Sequence, residues 1–254
     1  MHKLSFFSIL FFLLANLTLN AQETQAAFTI NAANKTVVFS EIGKLKIVGT
    51  DANEMRISGA GPRKRNSRAE GLKLISVSGL QDNTGWGLSV TEDGNTITVE
   101  QVGKKNNEYT IELPHSAVLQ YTQSTTDGSH FRIESFSGEV DVTMMYHKVY
   151  LFDVAGPVAV NCVYGDIIAE YTARPPSGDL RLHATYADVD LTLPAATAAN
   201  LSLSTSYGDM YTDFDLNVDR GTMNEGGKLN ATINGGGKLV SLQSTYDDIF
   251  IRKK

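Results

Sequence analysis

Four tyrosine–aspartate pairs in the C-terminal third carry the side chains best suited to chemistry. They read Tyr164-Gly165-Asp166-Ile167, Tyr186-Ala187-Asp188-Val189, Tyr207-Gly208-Asp209-Met210 and Tyr246-Asp247-Asp248-Ile249. Stacked one above another, the tyrosines would form a face for sugar rings, and the aspartates a file able to hold Ca²⁺. The plainer reading is that Tyr covers a corner while Asp closes a turn on backbone donors. Carboxylates one strand spacing apart, ~4.8 Å, repel by only ~1 kcal/mol in water, so no metal is needed. Calcium-binding repeats also carry denser Asp and Gly than this. The candidate binding ladder is therefore Tyr164, Tyr186, Tyr207 and Tyr246 with Asp166, Asp188, Asp209 and Asp248. No catalytic residue, metal ligand or cofactor is expected.

The other constellations are weaker. Asn234-Gly235-Gly236-Gly237-Lys238 has the composition of a phosphate cradle, but Leu239-Val240-Ser241-Leu242 follows as a strand where a helix would be required. A tight turn is expected instead. His115, His130, His147 and His183 show no zinc spacing and no cysteine pair accompanies them. Asp247 and Asp248 are neighbours, and neighbours on a strand point to opposite faces, which does not make a pair of catalytic carboxylates. The cluster Arg63, Lys64, Arg65 and Arg68 reads as a solvated loop whose field Glu70 weakens.

The elements that must position the Tyr-x-Asp signature repeat with it. The steps between successive tyrosines are 22, 21 and 39 residues, close to one, one and two units of a single period. A period near twenty writes a stack of coils. Six residues before each Tyr stand Val158, Leu180, Leu201 and Val240, and four before it Val160, Leu182, Leu203 and Leu242. Two before it are the small residues Cys162, Ala184, Thr205 and Ser244, and polar residues such as Asn161 and His183 alternate with them. That is a strand with one buried face. Beyond the Tyr the apolar phase slips by one, to Ile167, Val189, Met210 and Ile249. A continuous strand would carry this second half into water, so the chain must bend at Tyr-x-Asp. Each unit reads strand, corner, strand. Ser137-Gly138-Glu139-Val140-Asp141-Val142 and Tyr146-His147-Lys148-Val149-Tyr150-Leu151 are weaker copies of the same grammar.

Upstream, residues 28–118 form a less regular half. Strands are expected at Phe28–Ile30, Thr36–Phe39, Lys44–Val48, Met55–Ile57, Leu72–Val77, Gly87–Val90, Thr96–Val102 and Tyr109–Leu113. Residues 119–254 form the regular coils. Residues 1–21 read as a signal peptide: His2 and Lys3 precede an apolar run from Leu4 to Leu19, and Ala21 offers a cleavage point before Gln22. Residues 22–254 then form one β-repeat domain. Removing residues 1–21 takes away Lys3 and no acid, so the net charge goes from −6 to −7. Such a chain does not suggest a nucleic-acid partner. Its single cysteine, Cys162, permits no internal disulfide and reads as a buried thiol.

These residues resemble the DUF4097/DUF2807 group of exported bacterial β-repeat proteins, an adhesin-type family. The matching elements are Ile42-Gly43-Lys44-Leu45-Lys46-Ile47-Val48-Gly49, Tyr109-Thr110-Ile111-Glu112-Leu113-Pro114, Ile233-Asn234-Gly235-Gly236-Gly237-Lys238 and Asp248-Ile249-Phe250-Ile251-Arg252-Lys253. The leader ending Asn20-Ala21-Gln22 is similar to those of Bacteroidetes. Many relatives carry Ser-Gly or Asn-Gly where this chain has Tyr-Gly, Tyr-Ala or Tyr-Asp. The resemblance implies a β-solenoid-like fold and an envelope location, and supplies no catalytic residue.

The expectation is an all-β chain, a right-handed parallel β-solenoid with a β-sandwich as the alternative. It would be exported to the periplasm, the outer-membrane surface or the medium, with no transmembrane segment once the leader is removed. Its expected role is non-enzymatic: it presents a repetitive β face to a cell-surface glycan or an envelope protein. A carbohydrate-active β-helix enzyme and a structural or stress-related envelope component without a discrete ligand are the alternatives.

Overall fold

Alternating apolar residues build strands throughout, and the computed structural model describes them over residues 27–59, 67–103, 107–172, 174–218 and 227–254. The expected leader, residues 1–21, and the basic residues Arg63, Lys64 and Arg65 lie outside the described residues. In chain order the strands begin with β1 (Phe28–Asn31), β2 (Thr36–Ser40), β3 (Lys44–Thr50), β4 (Glu54–Gly59), β5 (Leu88–Asp93), β6 (Thr96–Gln101) and β7 (Glu108–Pro114). There follow β8 (Val118–Gln123), β9 (Phe131–Glu134), β10 (Val140–Met144), β11 (Val149–Phe152), β12 (Val158–Cys162), β13 (Ile167–Glu170), β14 (Leu180–Ala184) and β15 (Val189–Leu193). The series ends with β16 (Ala199–Thr205), β17 (Met210–Thr212), β18 (Asn217–Val218), β19 (Lys228–Ile233), β20 (Lys238–Ser244) and β21 (Ile249–Lys253).

These strands form two sheets, one ordered β1-β4-β7-β3-β9-β11-β13-β15-β21-β17 and the other β18-β19-β16-β20-β14-β12-β10-β8-β2-β6-β5. The fold is an all-β solenoid. Each coil takes a strand of the second sheet, turns a corner, and continues as a strand of the first. Coils pair in parallel and in register: Val158 lies beside Leu180, Leu180 beside Val240, and Leu201 beside Val240. Residues 28–118 supply two coils to this same stack, β2 with β3 and β6 with β7, so their irregularity lies in the connections.

The order of coils in space departs from the order in sequence at both ends. Strand β2 pairs with β6 on one side and β8 on the other, and β3 pairs with β7 and β9. The first coil of the chain is therefore the second of the stack. At the far end β20 lies between β14 and β16, and β21 between β15 and β17. The last coil of the chain is thus intercalated, and the 39-residue step from Tyr207 to Tyr246 is one rung in space, not two.

Antiparallel strands cover three of the four outermost coil strands, and β17 is left at a sheet edge. β4 closes on β7 with β1 beyond it, and β5 closes on β6. At the other end β19 closes on β16 and β18 on β19. Such covering matters because bare strand edges invite pairing with another chain. The connection from β19 to β20 is the expected tight turn, with Asn234, Gly235 and Gly236 at φ 48°, 87° and 83°. Asn234 Nδ2 donates to the carbonyls of Ala195 (2.9 Å) and Thr197 (2.7 Å).

The strand expected at Leu72–Val77 does not form. That stretch holds one isolated bridge, Ile75 to Gln81, and Leu72, Ile75 and Val77 are exposed. Its backbone bonds locally instead, the Ser76 N–H to the Leu80 carbonyl and the Asp82 N–H to the Leu74 carbonyl, and apolar alternation alone does not create a sheet partner.

The interior is one continuous apolar core running the length of the stack. Inward positions before the Tyr corners are buried, including Val160, Leu182, Leu203 and Leu242. Cys162 is buried and free, with its thiol 3.4 Å from the His147 carbonyl. Buried tyrosines Tyr121 and Tyr171 donate to the carbonyls of Ile42 (2.7 Å) and Val154 (2.9 Å). At the return corner the coils approach too closely for a side chain: a Cβ on Gly156 would lie 2.2 Å from the Gly138 oxygen, and one on Gly138 2.2 Å from that of Ala117.

Intercalation predicts a distinctive exchange pattern. Amides of Ile249–Lys253 should exchange as slowly as those of Val189–Leu193, while Met210–Thr212, on the outermost coil, should exchange fastest. Native-state hydrogen exchange reads this directly, and fast exchange at Ile249–Lys253 would contradict it.

Candidate functional site

The bend demanded by the phase slip falls where expected, between the strands of each coil, and parallel register then places each Tyr above its counterpart. Five rings stack, because Tyr146 joins the four expected ones. The order is Tyr146, Tyr164, Tyr186, Tyr246, Tyr207, with centroid separations of 5.5, 5.3, 4.5 and 4.9 Å. Interplanar angles of 6° to 14° make the rings nearly parallel. All five remain solvent-exposed, from 39% at Tyr146 to 74% at Tyr207.

Small residues two positions before the Tyr hold the corner in shape. Ser244 Oγ donates to the Ala187 carbonyl (2.9 Å) and accepts from the Asp247 N–H (3.1 Å). Thr205 Oγ1 accepts from the Gly208 N–H at 3.0 Å. Glycine after Tyr164 and Tyr207 answers to close approach: a Cβ on Gly165 would sit 2.2 Å from the His147 oxygen, and one on Gly208 2.0 Å from that of Asp247.

The aspartate file runs beside the rings and is tied into the fold. Lys148 Nζ meets Asp166 Oδ2 at 2.5 Å. Asp188 Oδ1 accepts the Asp248 N–H at 3.1 Å, and Asp248 Oδ1 accepts the Asp209 N–H at 2.8 Å. Each of these carboxylates closes a gap between successive coils. Burial pushes the Asp188 carboxyl above its ordinary value, the Asp248 N–H opposes this, and the charges of Asp166, Asp247 and Asp248 add to the rise. Among the described residues no three His, Cys, Asp or Glu side chains converge as a metal-holding group.

A second aromatic row was not anticipated. Four residues beyond each ladder tyrosine, on the outer face of the first sheet, stand Tyr150, Ile168, Asp190, Tyr211 and Phe250. Tyr211 stacks on Phe250 at 5.2 Å, and the guanidiniums of Arg252 and Arg132 lie 5.0 and 4.1 Å from the ring centroids of Phe250 and Phe152. Charges on this face pair with one another: Arg252 with Asp190, Lys254 with Glu170, and both Lys46 and Arg132 with Glu134.

The histidines do not assemble into one site. His130 and His147 have centroids 6.5 Å apart, and burial, then His147 and Lys148, hold the His130 pKa below its usual value. His183 lies on the outer face of the second sheet. His115 borders a cleft of about 260 Å³ with Ser135, Ser137, Asp153, Tyr171 and Arg174. Its Nδ1 already accepts the Ser137 N–H at 3.3 Å, so that nitrogen is not available to activate a serine hydroxyl.

Fold and site together define a capped two-sheet β-solenoid carrying an exposed aromatic ladder. The chain belongs to the Toastrack DUF4097 family, whose model matches residues 15–252. No curated protein matches it. A solved structure of a candidate cell adhesion protein from Clostridium sporogenes is similar over 90% of this chain and 99% of its own, at 16% identity and a TM-score of 0.46. A second, of a candidate adhesin from Bacteroides fragilis, is similar over 91% of this chain and 98% of its own, at 10% identity and a TM-score of 0.29. No helix among the described residues is long and apolar enough to cross a membrane.

The order of the rings sets their energetic weights. Tyr246 has a ring on both sides and Tyr207 on one. At ~0.5–1.5 kcal/mol per aromatic contact, Tyr246→Ala should destabilise about twice as much as Tyr207→Ala in urea unfolding. Equal losses would contradict this stacking order.

Proposed function

We propose that this protein is a non-enzymatic, exported component of the cell envelope that adheres to another molecule through its repetitive β surface. The observation that carries the reading is the five-ring ladder. Exposed aromatic residues gathered in one line on a rigid scaffold are typical of contact surfaces. In-register coils hold the rings in place before any partner arrives, which lowers the ordering cost of binding.

The geometry limits what the ladder offers. Inner rings cover one another's faces, so their edges and hydroxyls are what a partner meets. Tyr207 ends the stack with a described ring on one side, and it is the most exposed of the five. The partner is a cell-surface glycan or an envelope protein, met by Tyr164, Tyr186, Tyr207 and Tyr246 with Asp166, Asp188, Asp209 and Asp248 alongside.

One observation favours a second reading, a structural envelope component without a ligand. Ring faces and carboxylates are largely engaged within the protein itself. Binding of the immobilised mature protein to isolated envelope material and to a glycan array separates the two. Tyr207→Ala, which removes a single ring contact, should weaken capture roughly tenfold while costing only the stability of that contact. No capture by the unaltered protein would contradict adhesion and favour the structural role.

A further inference from the structure

The outer face of the second sheet differs in chemistry from that of the first. Register places Thr122, Thr143, Asn161, His183, Gln243 and Ser204 side by side, one from each of six consecutive coils. At ~4.8 Å per coil the file runs about 24 Å along the solenoid axis. All six side chains lie on the solvent side of the sheet, and among the described residues none forms a side-chain hydrogen bond. Hydroxyl and amide groups each donate and accept. This is a line of unused hydrogen-bonding capacity that holds no carboxylate, ammonium or guanidinium group. The first sheet, by contrast, pairs its outward charges with one another.

The same face also carries two shallow recesses. Asn161, His183 and Gln243 line one of about 250 Å³, together with Ala159, Arg181 and Ser241. Arg181, the charged member, is paired with Asp179 at 3.0 Å. The other recess, about 620 Å³, continues toward the capped end between Asn200, Ser202, Asn217 and Thr232. Apolar residues line both as well, Val160 and Leu182 in the first and Leu201 and Leu239 in the second.

We propose that this face binds an unbranched, uncharged glycan chain laid along the solenoid axis, with Asn161, His183 and Gln243 at the centre of the site. The chemistry of the face selects that occupant. A nucleic acid or acidic polymer would need a basic face. An apolar partner would need a continuous greasy patch, which these residues do not supply. A peptide strand added by backbone pairing would need a sheet edge, not a sheet face. A neutral glycan meets donors and acceptors with donors and acceptors, and its sugar units advance by a step similar to the spacing of the coils. Repeated weak contacts along one chain give affinity that grows with chain length. The proposal rests on the reading of the protein as a binding protein, but not on the tyrosine ladder.

The test uses the whole mature protein against oligomers of β-linked glucose and of N-acetylglucosamine of increasing length, with a polyuronate as the charged control. Calorimetry should show binding to a neutral series, with affinity rising up to about five or six units, the length of the file. Binding should change little with salt. Asn161→Ala/Gln243→Ala should weaken it at least tenfold, while Glu170→Gln, on the outer face of the first sheet, should leave it unchanged. Preference for the polyuronate, or binding kept in full by Asn161→Ala/Gln243→Ala, would overturn the proposal. So would failure to bind either neutral series. If envelope capture persists in that last case, the adhesive reading stands and only the glycan site falls.

Discussion

Everything in this molecule depends on the parallel, zero-offset pairing of one coil on the next. Strand spacing fixes the rise at ~4.8 Å, and zero offset sets each residue above its structural equivalent. Inward Leu, Val and Ile then pack on their counterparts, as with Leu182 beside Leu242 and Leu242 beside Leu203. A shift by one residue would turn every inward side chain outward. Stacked tyrosines, interlinked aspartates and the close glycines of the return corner are all consequences of that alignment. Function follows the same rule, since the solenoid presents lines of like side chains on its outside.

Intercalation of both terminal coils changes how such a stack holds together. A sequential solenoid leaves its first and last coils at the ends, each with a single neighbour. Here β2 with β3 and β20 with β21 each have a coil on both sides. The first and last coils of the chain are therefore held between neighbours, and the outermost coils, β6–β7 and β16–β17, are interior in sequence; antiparallel strands cover β6, β7 and β16. Such pairings join residues far apart in the chain: β14 meets β20 across the whole of β15–β19. Loop-closure entropy opposes contacts of this kind and slows their formation. Once formed, they leave no terminal coil free to fray from its end.

Much of this was legible in the residues. Period-two alternation ending at Val158-Ala159-Val160-Asn161-Cys162 identified the strand, and the phase slip at Tyr164-Gly165-Asp166 required the bend. Tyr146 was legible too, since Val142 and Met144 before it and Val149 and Leu151 after it follow the same template. Lys148 in place of the usual Asp hid it, although Lys148 completes the file by pairing with Asp166. Tyr150, Ile168, Phe250 and Tyr211 break the expected polar alternation four residues after their ladder tyrosines, whereas Asp190 keeps it. The order of coils was not legible. Every coil carries the same pattern, so the pattern states that a segment stacks but not where. The 39 residues between Tyr207 and Tyr246 fitted two periods numerically while the chain used them for β18, β19 and their connections. Leu72–Val77 shows the opposite failure, an apolar stretch that bonds to its own turn instead of joining a sheet.

Cross-linking at the ladder measures the central claim most directly. In a Cys162→Ser background, cysteines would replace tyrosines pairwise at the ladder positions. Adjacent rungs lie within the ~4.4–6.8 Å Cα separation that a disulfide spans, and rungs two apart, at ~9.6 Å, lie outside it. Mild oxidation followed by mass and thiol analysis should close an intramolecular bond in Tyr186→Cys/Tyr246→Cys and in Tyr207→Cys/Tyr246→Cys. Tyr186→Cys/Tyr207→Cys should keep both thiols. A bond in that last pair, with none in the first, would show a stack that follows sequence order and would contradict the intercalated solenoid.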